Sequence, residues 1–520
     1  MKKNIFYSLL ILLMLPAVCC AKKTTTPIVG EVKASAYTPD IPVLKGLATN
    51  AIMRVNIFIP ADQASQQYTS INCTINSSAI NDVDEITLYQ TSAEPFSTNT
   101  PLATSKPSSA NFSVPLTLKL APGLNFIWLS VKLKNEASIN NQIELRAVNL
   151  VQSNGKKLII TQPAGNYVKL KGTAVRKAGD DNVNTYRIPG MVATHKGTLL
   201  SVYDIRYKNS VDLPGNIDVG LSRSTDSGKT WQPMKIIMDM GAPHENNGVG
   251  DPAILFDPIT KKIWVAALWS KGNRSIAGSL PGISPDTTGQ FVLVSSDDDG
   301  LTWSAPYTIT PQIKNPKWHL FFNGPGSGIA MKDGKLVFAA QYWNENKMPY
   351  STIIYSTNHG ASWIGHLNGP KSNTTESQVV ETTPGTLMLN MRDNRGSYRS
   401  VATTTNMGSS WTEHATSYNA LQDPVCMGSL IKANVKVKGV LKEVLFFSNP
   451  NTTSGRYDMT IKASLDLGQT WLPANQLLID ERIGYGYSSL TQIDTETIGI
   501  LYEGTKDLYF VKVPVAAIIK

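Results

Sequence analysis

Cysteine is nearly absent from this chain. Only four of the 520 residues are cysteine, and two of them, Cys19 and Cys20, close an N-terminal apolar run. Cys73 and Cys426 fall in different predicted domains, which argues against a disulfide and excludes a small stapled fold. Histidine is scarce too. The six histidines (195, 244, 319, 359, 366 and 414) show no His-Glu-x-x-His or other tight ligand spacing, so neither a metal nor a cofactor is expected. No glycine-rich phosphate loop and no serine-centred elbow is present. The run from Ile5 to Val18, behind Lys2 and Lys3, falls short of the ~20 residues a membrane helix needs. It fits a signal peptide over residues 1–21, cut after Ala21. Cys20 is an alternative lipid anchor, although the residues ahead of it suit a bacterial lipobox poorly. Export is expected in either case, leaving a periplasmic, cell-surface or secreted protein. The net charge of +9 suits an acidic ligand, yet Lys2, Lys3, Lys22 and Lys23 sit in or beside the signal. The excess names no partner, and no nucleic-acid partner is expected. The chain is read as a monomer.

Long helical periodicities are also scarce, while Gly, Asn, Thr and Ser are plentiful, which favours β structure. A chain this long exceeds one ordinary core, so two or three domains are expected. Short alternating runs occupy the first part: Met53 to Ile59, Glu85 to Tyr89, Phe112 to Leu120, Asn125 to Leu133 and Ile143 to Leu150. With turn-rich pieces between them, they predict a β-sandwich over residues 24–165. It carries no catalytic constellation and is read as either a glycan-binding or a spacer module.

From about residue 170 the chain repeats itself. Ser224-Thr-Asp-Ser-Gly-Lys-Thr-Trp231, Ser296-Asp-Asp-Asp-Gly-Leu-Thr-Trp303, Ser356-Thr-Asn-His-Gly-Ala-Ser-Trp363, Thr404-Thr-Asn-Met-Gly-Ser-Ser-Trp411 and Ser464-Leu-Asp-Leu-Gly-Gln-Thr-Trp471 are five copies of one octapeptide. Their starts are spaced by 72, 60, 48 and 60 residues. The third position, Asp or Asn, accepts backbone N–H bonds to close a turn. Gly supplies a positive φ. Trp is expected to pack against its own sheet. Such spacing with strand-like flanks predicts propeller blades, six of them over residues 170–520. Turn chemistry accounts for every one of these Asp and Asn positions without catalysis or calcium.

The five octapeptides are similar to the Asp-boxes of sialidases (neuraminidases), and Tyr186-Arg187-Ile188-Pro189 resembles that family's Arg-Ile-Pro motif. The resemblance, to bacterial exo-sialidases, runs from about residue 180 to the C-terminus. It implies three arginines that grip a substrate carboxylate: Arg187, Arg392 in Leu389-Asn-Met-Arg392-Asp, and Arg456, eight residues before the fifth box. Guanidinium suits that task because it stays charged and offers planar paired donors. Arg395 and Arg399 compete for the second place. Asp212, on the loop Val211-Asp212-Leu213-Pro214-Gly215, resembles the family's general acid/base. Tyr487, in Gly486-Tyr487-Ser488-Ser489-Leu490, resembles its nucleophile and Glu376 the base that deprotonates it; the rivals are Tyr485 and Glu381. A neutral phenol avoids the repulsion an anionic nucleophile would meet at a carbon bearing a carboxylate. Arg206 and Asp251, the latter expected on a loop before a strand from Ile254 to Phe256, are implied sugar contacts. Trp269 is a candidate for packing on an N-acetyl methyl.

The resemblance implies a retaining exo-α-sialidase acting on sialylated glycans, glycoproteins or glycolipids. Two other readings stay open at this point: a trans-sialidase with a sugar acceptor, and a propeller lectin without chemistry.

Overall fold

The structure, a computed structural model, describes residues 30–98, 101–163, 167–272, 274–365 and 368–520. The expected signal segment, with Cys19 and Cys20, lies outside the described residues.

Each alternating run of the first part becomes a strand, because period two puts every second side chain on one face. Asn111–Leu120 is the clearest case: its even positions from Val114 onward are buried and its odd ones exposed. One sheet contains Pro101–Ser105, Val83–Thr91, Gly123–Leu133, Ala51–Ile59 and Lys33–Tyr37; the other contains Lys157–Thr161, Ile143–Gln152, Gln66–Ile75 and Asn111–Leu120. Parallel pairing of Lys33–Tyr37 with Lys157–Thr161 joins them along one edge. Val55, Ile71, Leu88, Ile127 and Leu145 meet in a single core between the two sheets.

The remainder is a six-bladed propeller. Blade 1 is Thr185–Ala193, Leu199–Arg206, Ile217–Ser224 and Lys235–Met238, from hub to rim. Blade 2 is Val249–Phe256, Ile263–Trp269, Gln290–Ser296 and Tyr307–Thr308. Blade 3 has a broken inner strand, Leu320–Asn323 and Ile329–Ala330, followed by Leu336–Trp343 and Pro349–Ser356. Blade 4 is Thr374–Thr383, Thr386–Asp393, Ser400–Thr404 and Thr412–Glu413, and blade 5 is Ser429–Val437, Val440–Pro450, Met459–Ser464 and Gln476–Asp480. Blade 6 takes Ser488–Gln492, Thr497–Glu503 and Leu508–Pro514 from the end of the chain and Lys171–Arg176 from the propeller's start, so the ring is closed by strand pairing. Val43–Lys45, a piece of the first part of the chain, adds a fifth strand in parallel.

No single core fills this ring. Six apolar wedges do, one between each pair of neighbouring blades. The boxes plug five of them. Trp231, Trp303, Trp363, Trp411 and Trp471 each join the wedge shared with the preceding blade, with Trp231 on Phe510 and Trp363 on Trp264 as edge-to-face pairs. Trp363 and Trp471 also pack on their own sheets, on Phe338 and Phe447, as expected; the contact with the preceding blade is the addition. The cause is the box glycine: a Cβ on Gly228 would lie 2.0 Å from Phe510, so the turn sits flush on the neighbour. Blade 6 has no box because its third and fourth strands come from opposite ends of the propeller.

Candidate active site

Antiparallel strands make the two faces of the disc chemically distinct. Inner strands start, and second strands end, on the same face. The third strands end on the opposite face, and there the boxes lie. In the first box Ser224 Oγ accepts from Gly228 N at 2.9 Å, and Asp226 accepts from Thr230 N at 2.9 Å and Thr230 Oγ1 at 2.6 Å. Where the third position is Asn, the side-chain bond reverses: Asn358 Nδ2 donates to Ser362 Oγ at 2.9 Å. Both versions close the same turn, away from every candidate site residue.

Those candidates gather on the other face, at bulges. In blade 1 the ladder slips between Arg187 and Gly190, with Ile188 at φ 58° and Pro189 offering no N–H. In blade 2 it slips between Gly250 and Ala253, with Asp251 at φ 57°. In blade 4 it slips between Thr374 and Ser377, around Glu376. Asp251 is thus inside a strand, Val249–Phe256, rather than on the loop expected before it. In blade 6 Gly486, at φ 89°, turns the chain just before the inner strand and presents Tyr487. That turn breaks the alternation that would have put Tyr485 and Tyr487 on one strand face.

Three arginines meet at Tyr487. Arg392 Nη1 donates to its hydroxyl oxygen at 3.0 Å, while the guanidiniums of Arg187 and Arg456 lie over its ring, 5.2 and 5.6 Å from the centroid. Tyr487 Oη donates to Glu376 Oε1 at 2.5 Å, and Arg392 Nη1 holds the other carboxylate oxygen at 2.6 Å. Among the described residues, Arg392 Nε is buried without a partner. Arg456 bonds only backbone carbonyls among the described residues, those of Tyr485 at 2.9 Å and Val425 at 3.1 Å. Burial first, then the Glu376 charge, pushes the Tyr487 phenol well above its ordinary range, with Arg392 and Arg187 pulling the other way.

Arg206 anchors the opposite wall. Its guanidinium, 2% exposed, bonds Asp204 Oδ2 at 2.8 Å and the Ser210 carbonyl at 2.7 Å, and forms an ion pair with Asp212 Oδ1 at 2.6 Å. Arg187 Nη1 is 3.6 Å from the same Asp212 oxygen. Asp212 itself projects from its loop with 62% of its side chain exposed. Asp204 Oδ1 accepts from Asp251 N at 2.8 Å, and Asn323 Nδ2 donates to the Asp251 carbonyl at 2.6 Å. Burial, then Asp204, Asp212 and Glu376, drives the Asp251 carboxyl well above the carboxylate range. The eight candidates thus form one connected cluster. The three arginines are not bare cations, however: Glu503 and Glu376 buffer two of them.

The arginine and glutamate rivals sit elsewhere, while Tyr485 supports the site arginines. Arg399 is fully buried on Asn390 and the Cys426 carbonyl, and Arg395 caps Asp393. Glu381 accepts from Lys332 N and Gly385 N at the far end of the Glu376 strand. Tyr485 lends its carbonyl to Arg456 and its ring to Arg187, at 4.6 Å. Trp269 faces Val249 across its blade, its indole N–H buried without a partner among the described residues.

Glu503, Asp204, Asn323 and Gln341 were not foreseen. Glu503 is bonded by Arg187 Nε at 3.1 Å, Ile188 N at 2.8 Å and Tyr487 N at 2.8 Å, so one buried carboxylate aligns an arginine and a tyrosine from two blades. No motif marks it. Asp204 was legible, being two residues from Arg206 on one strand and so on the same face. Asn323 Oδ1 and Gln341 Nε2, from adjacent rungs of blade 3, are buried without partners among the described residues.

Comparison with known proteins bears on the family and the fold. Residues 188–481 match the BNR repeat-like domain, and residues 30–157 match the N-terminal domain of BNR-repeat neuraminidase. A sialidase of Bacteroides fragilis is 48% identical over 395 residues, covering 74% of this chain and 72% of its own. One from Micromonospora viridifaciens is 33% identical, covering 62% of this chain and 50% of its own. Among solved structures, Hadza microbial sialidase Hz136 superposes with a TM-score of 0.86 at 40% identity, over 93% of this chain and 100% of its own. Trypanosoma rangeli sialidase, at 22% identity and a TM-score of 0.55, covers 72% of this chain and 58% of its own and shares the fold.

Proposed function

This chain belongs to the BNR-repeat neuraminidases, or sialidases, and from that membership we propose that it is an exo-α-sialidase releasing terminal sialic acids with retained configuration. It is a glycoside hydrolase. The observation that carries the finer reading is the 2.5 Å bond from Tyr487 to Glu376 inside the ring of Arg187, Arg392 and Arg456.

The three guanidiniums hold the substrate carboxylate, with Arg392 Nε an unpartnered donor for it. Tyr487 gives its proton to Glu376, and its oxygen attacks the anomeric carbon. The glycosidic C–O bond breaks, and the departing oxygen takes a proton from Asp212. Asp212 then accepts a proton from water, whose oxygen displaces the tyrosyl oxygen; that oxygen recovers its proton from Glu376. Two inversions give retention. Arg206, Asp251, Asn323 and Gln341 contact the sugar's hydroxyl and N-acetyl groups. The exposure of Asp212 supports water as the acceptor. On the same reading the chain is exported and acts on sialylated glycans outside the cytoplasm.

Incubation with a 2,3-difluorinated sialic acid should add one sugar to the peptide carrying Tyr487, read by mass spectrometry. Tyr487→Phe should abolish labelling and lower kcat on an aryl sialoside by at least about 10²-fold. A label on any other residue, or release of the inverted anomer in proton NMR, would overturn the tyrosyl route.

A further inference from the structure

The four site arginines differ in what holds them. Arg187 is held by Glu503, Arg392 by Glu376 and Arg206 by Asp204. Arg456 has no such carboxylate: among the described residues it bonds only the carbonyls of Tyr485 and Val425. Neutral holders leave its charge undivided for a substrate anion. They also leave the aim of a long, flexible side chain to two backbone oxygens.

Both oxygens come from bent backbone. Tyr485 precedes Gly486, at φ 89°. Val425 is itself left-handed, at φ 57°. Among the described residues one other β-branched residue holds a positive φ, Ile188 beside Arg187. A branched Cβ is crowded in that region, and the conformation persists only where the surroundings enforce it. Here two buried charges do so. Asp423, fully buried, accepts from Cys426 N at 3.1 Å and from Asn449 Nδ2 at 3.2 Å. Arg399, also fully buried, donates from Nη1 to the Cys426 carbonyl at 2.5 Å, and its Nε donates to Asn390 Oδ1 at 2.7 Å. The two charges lie 3.7 Å apart and grip the peptide groups on both sides of Cys426, the residue after Val425. The Cys426 thiol stands 3.9 Å from the Tyr485 carbonyl, and a Cβ on Gly486 would lie 3.1 Å from both Cys426 Sγ and Arg456 Cβ, so the two turns abut. A buried ion pair adds little net stability, so the fold alone does not account for this one.

We propose that Asp423 and Arg399 are positioning residues: they hold Val425 in its left-handed turn, and the turn aims Arg456 at the substrate carboxylate. The assignment deepens the sialidase reading and rests on it. Arg399, a competitor by sequence for the second place among the arginines, acts instead through the third.

The test is a mutant cycle on an aryl sialoside. Glycine at position 425 relieves the crowding but frees the turn. Val425→Gly should therefore raise KM about three- to tenfold, the worth of one hydrogen bond, with kcat within about twofold of wild type, because Arg456 holds the carboxylate before and during the reaction alike. Val425→Asn should keep the wild-type KM, since asparagine suits a left-handed residue. Asp423→Asn should behave as Val425→Gly does: its one amide oxygen can accept from Cys426 N or from Asn449, not both. In an Arg456→Ala background, Val425→Gly and Asp423→Asn should each change kcat/KM by less than about twofold. An unchanged KM in both Val425→Gly and Asp423→Asn overturns the proposal. So does a loss of the same size in the Arg456→Ala background, which would make the turn merely structural, and so does a Val425→Asn enzyme as weak as Val425→Gly, which would put the effect in the lost side chain. A wild-type protein inactive on the aryl sialoside would instead sink the enzymatic reading on which the assignment rests.

Discussion

Asp251 carries two burdens that are usually kept apart. Its backbone is left-handed, at φ 57°, clamped on one side by Asp204 and on the other by Asn323. Its carboxyl is driven upward by burial and by three neighbouring acids. Asp204 shares that environment, but its oxygens bond Arg206 and Asp251 N, so the proton belongs on Asp251. A neutral Asp251 also relieves a site in which four guanidiniums face five carboxyls. A raised carboxyl is a cost to folding that is absent below the unfolded value near 3.9 and grows as pH rises toward the folded value. Asparagine tolerates the left-handed region and mimics the neutral acid. Asp251→Asn should therefore stabilise the protein, by a margin that widens from about pH 4 toward neutrality, in denaturant unfolding at several pH values. Activity should fall less than in Asp251→Ala. Equal stabilisation at every pH would mean that Asp251 is ionised in the native state. The residues that meet in the candidate site were largely legible in the sequence, because arginine, tyrosine and acid have few substitutes for the chemistry proposed. Glu503 was not, since its task is to align groups from two other stretches of chain, and nothing local records that.

Elements explain why the boxes and the site never meet. Every box follows a third strand and every site residue lies at the start of a first strand, the end of a second, or the loop after it, so antiparallel pairing alone separates them by the depth of the disc. The Asp226 carboxylate has three partners, Ser224 Oγ, Thr230 N and Thr230 Oγ1, all within its own turn. Asp226→Ala should lower stability by about 1–3 kcal/mol, while kcat and KM stay at wild-type values; a matching loss of kcat would tie the boxes to catalysis. Asp226→Asn should cost less, since Asn358 and Asn406 close the same turn with the bond reversed. The octapeptides announced the blades because a tight turn makes strict demands on local sequence. The bulges at Arg187, Asp251 and Glu376 were hidden, because a register shift exists only between two strands. Pro189 and Pro252, each at the slip of an inner strand, are in hindsight its trace: proline within a strand marks an edge or a place where the ladder is already broken.

At the scale of the molecule, stability rests on closing a ring. Five blades are continuous in sequence; the sixth needs Lys171–Arg176 to pair with Leu508–Pro514, across more than three hundred residues. The first part of the chain braces this seam. Val43–Lys45 pairs with Lys171–Thr173, Leu44 is buried in the wedge between blades 5 and 6, Lys45 Nζ donates to the Lys229 carbonyl, and Tyr37 Oη donates to Glu481 at 2.8 Å. Composition and repeats could reveal sandwich and propeller separately, but not a three-residue strand that belongs to both. The two contributions predict different failures. A chain beginning at Leu170 keeps the closing strand and loses the brace; burial of one leucine is worth about 1.5–3 kcal/mol, so it should unfold cooperatively with Tm lowered by about 5 °C and with activity on an aryl sialoside retained. A chain beginning at Ala178 also loses the closing strand, baring the edge of Leu508–Pro514 and the wedge face around Phe510. It should show no cooperative melt by circular dichroism and no activity. If both chains melted together near the full-length value, the seam would carry little of the fold's stability, and the ring would have to be held by its five other wedges.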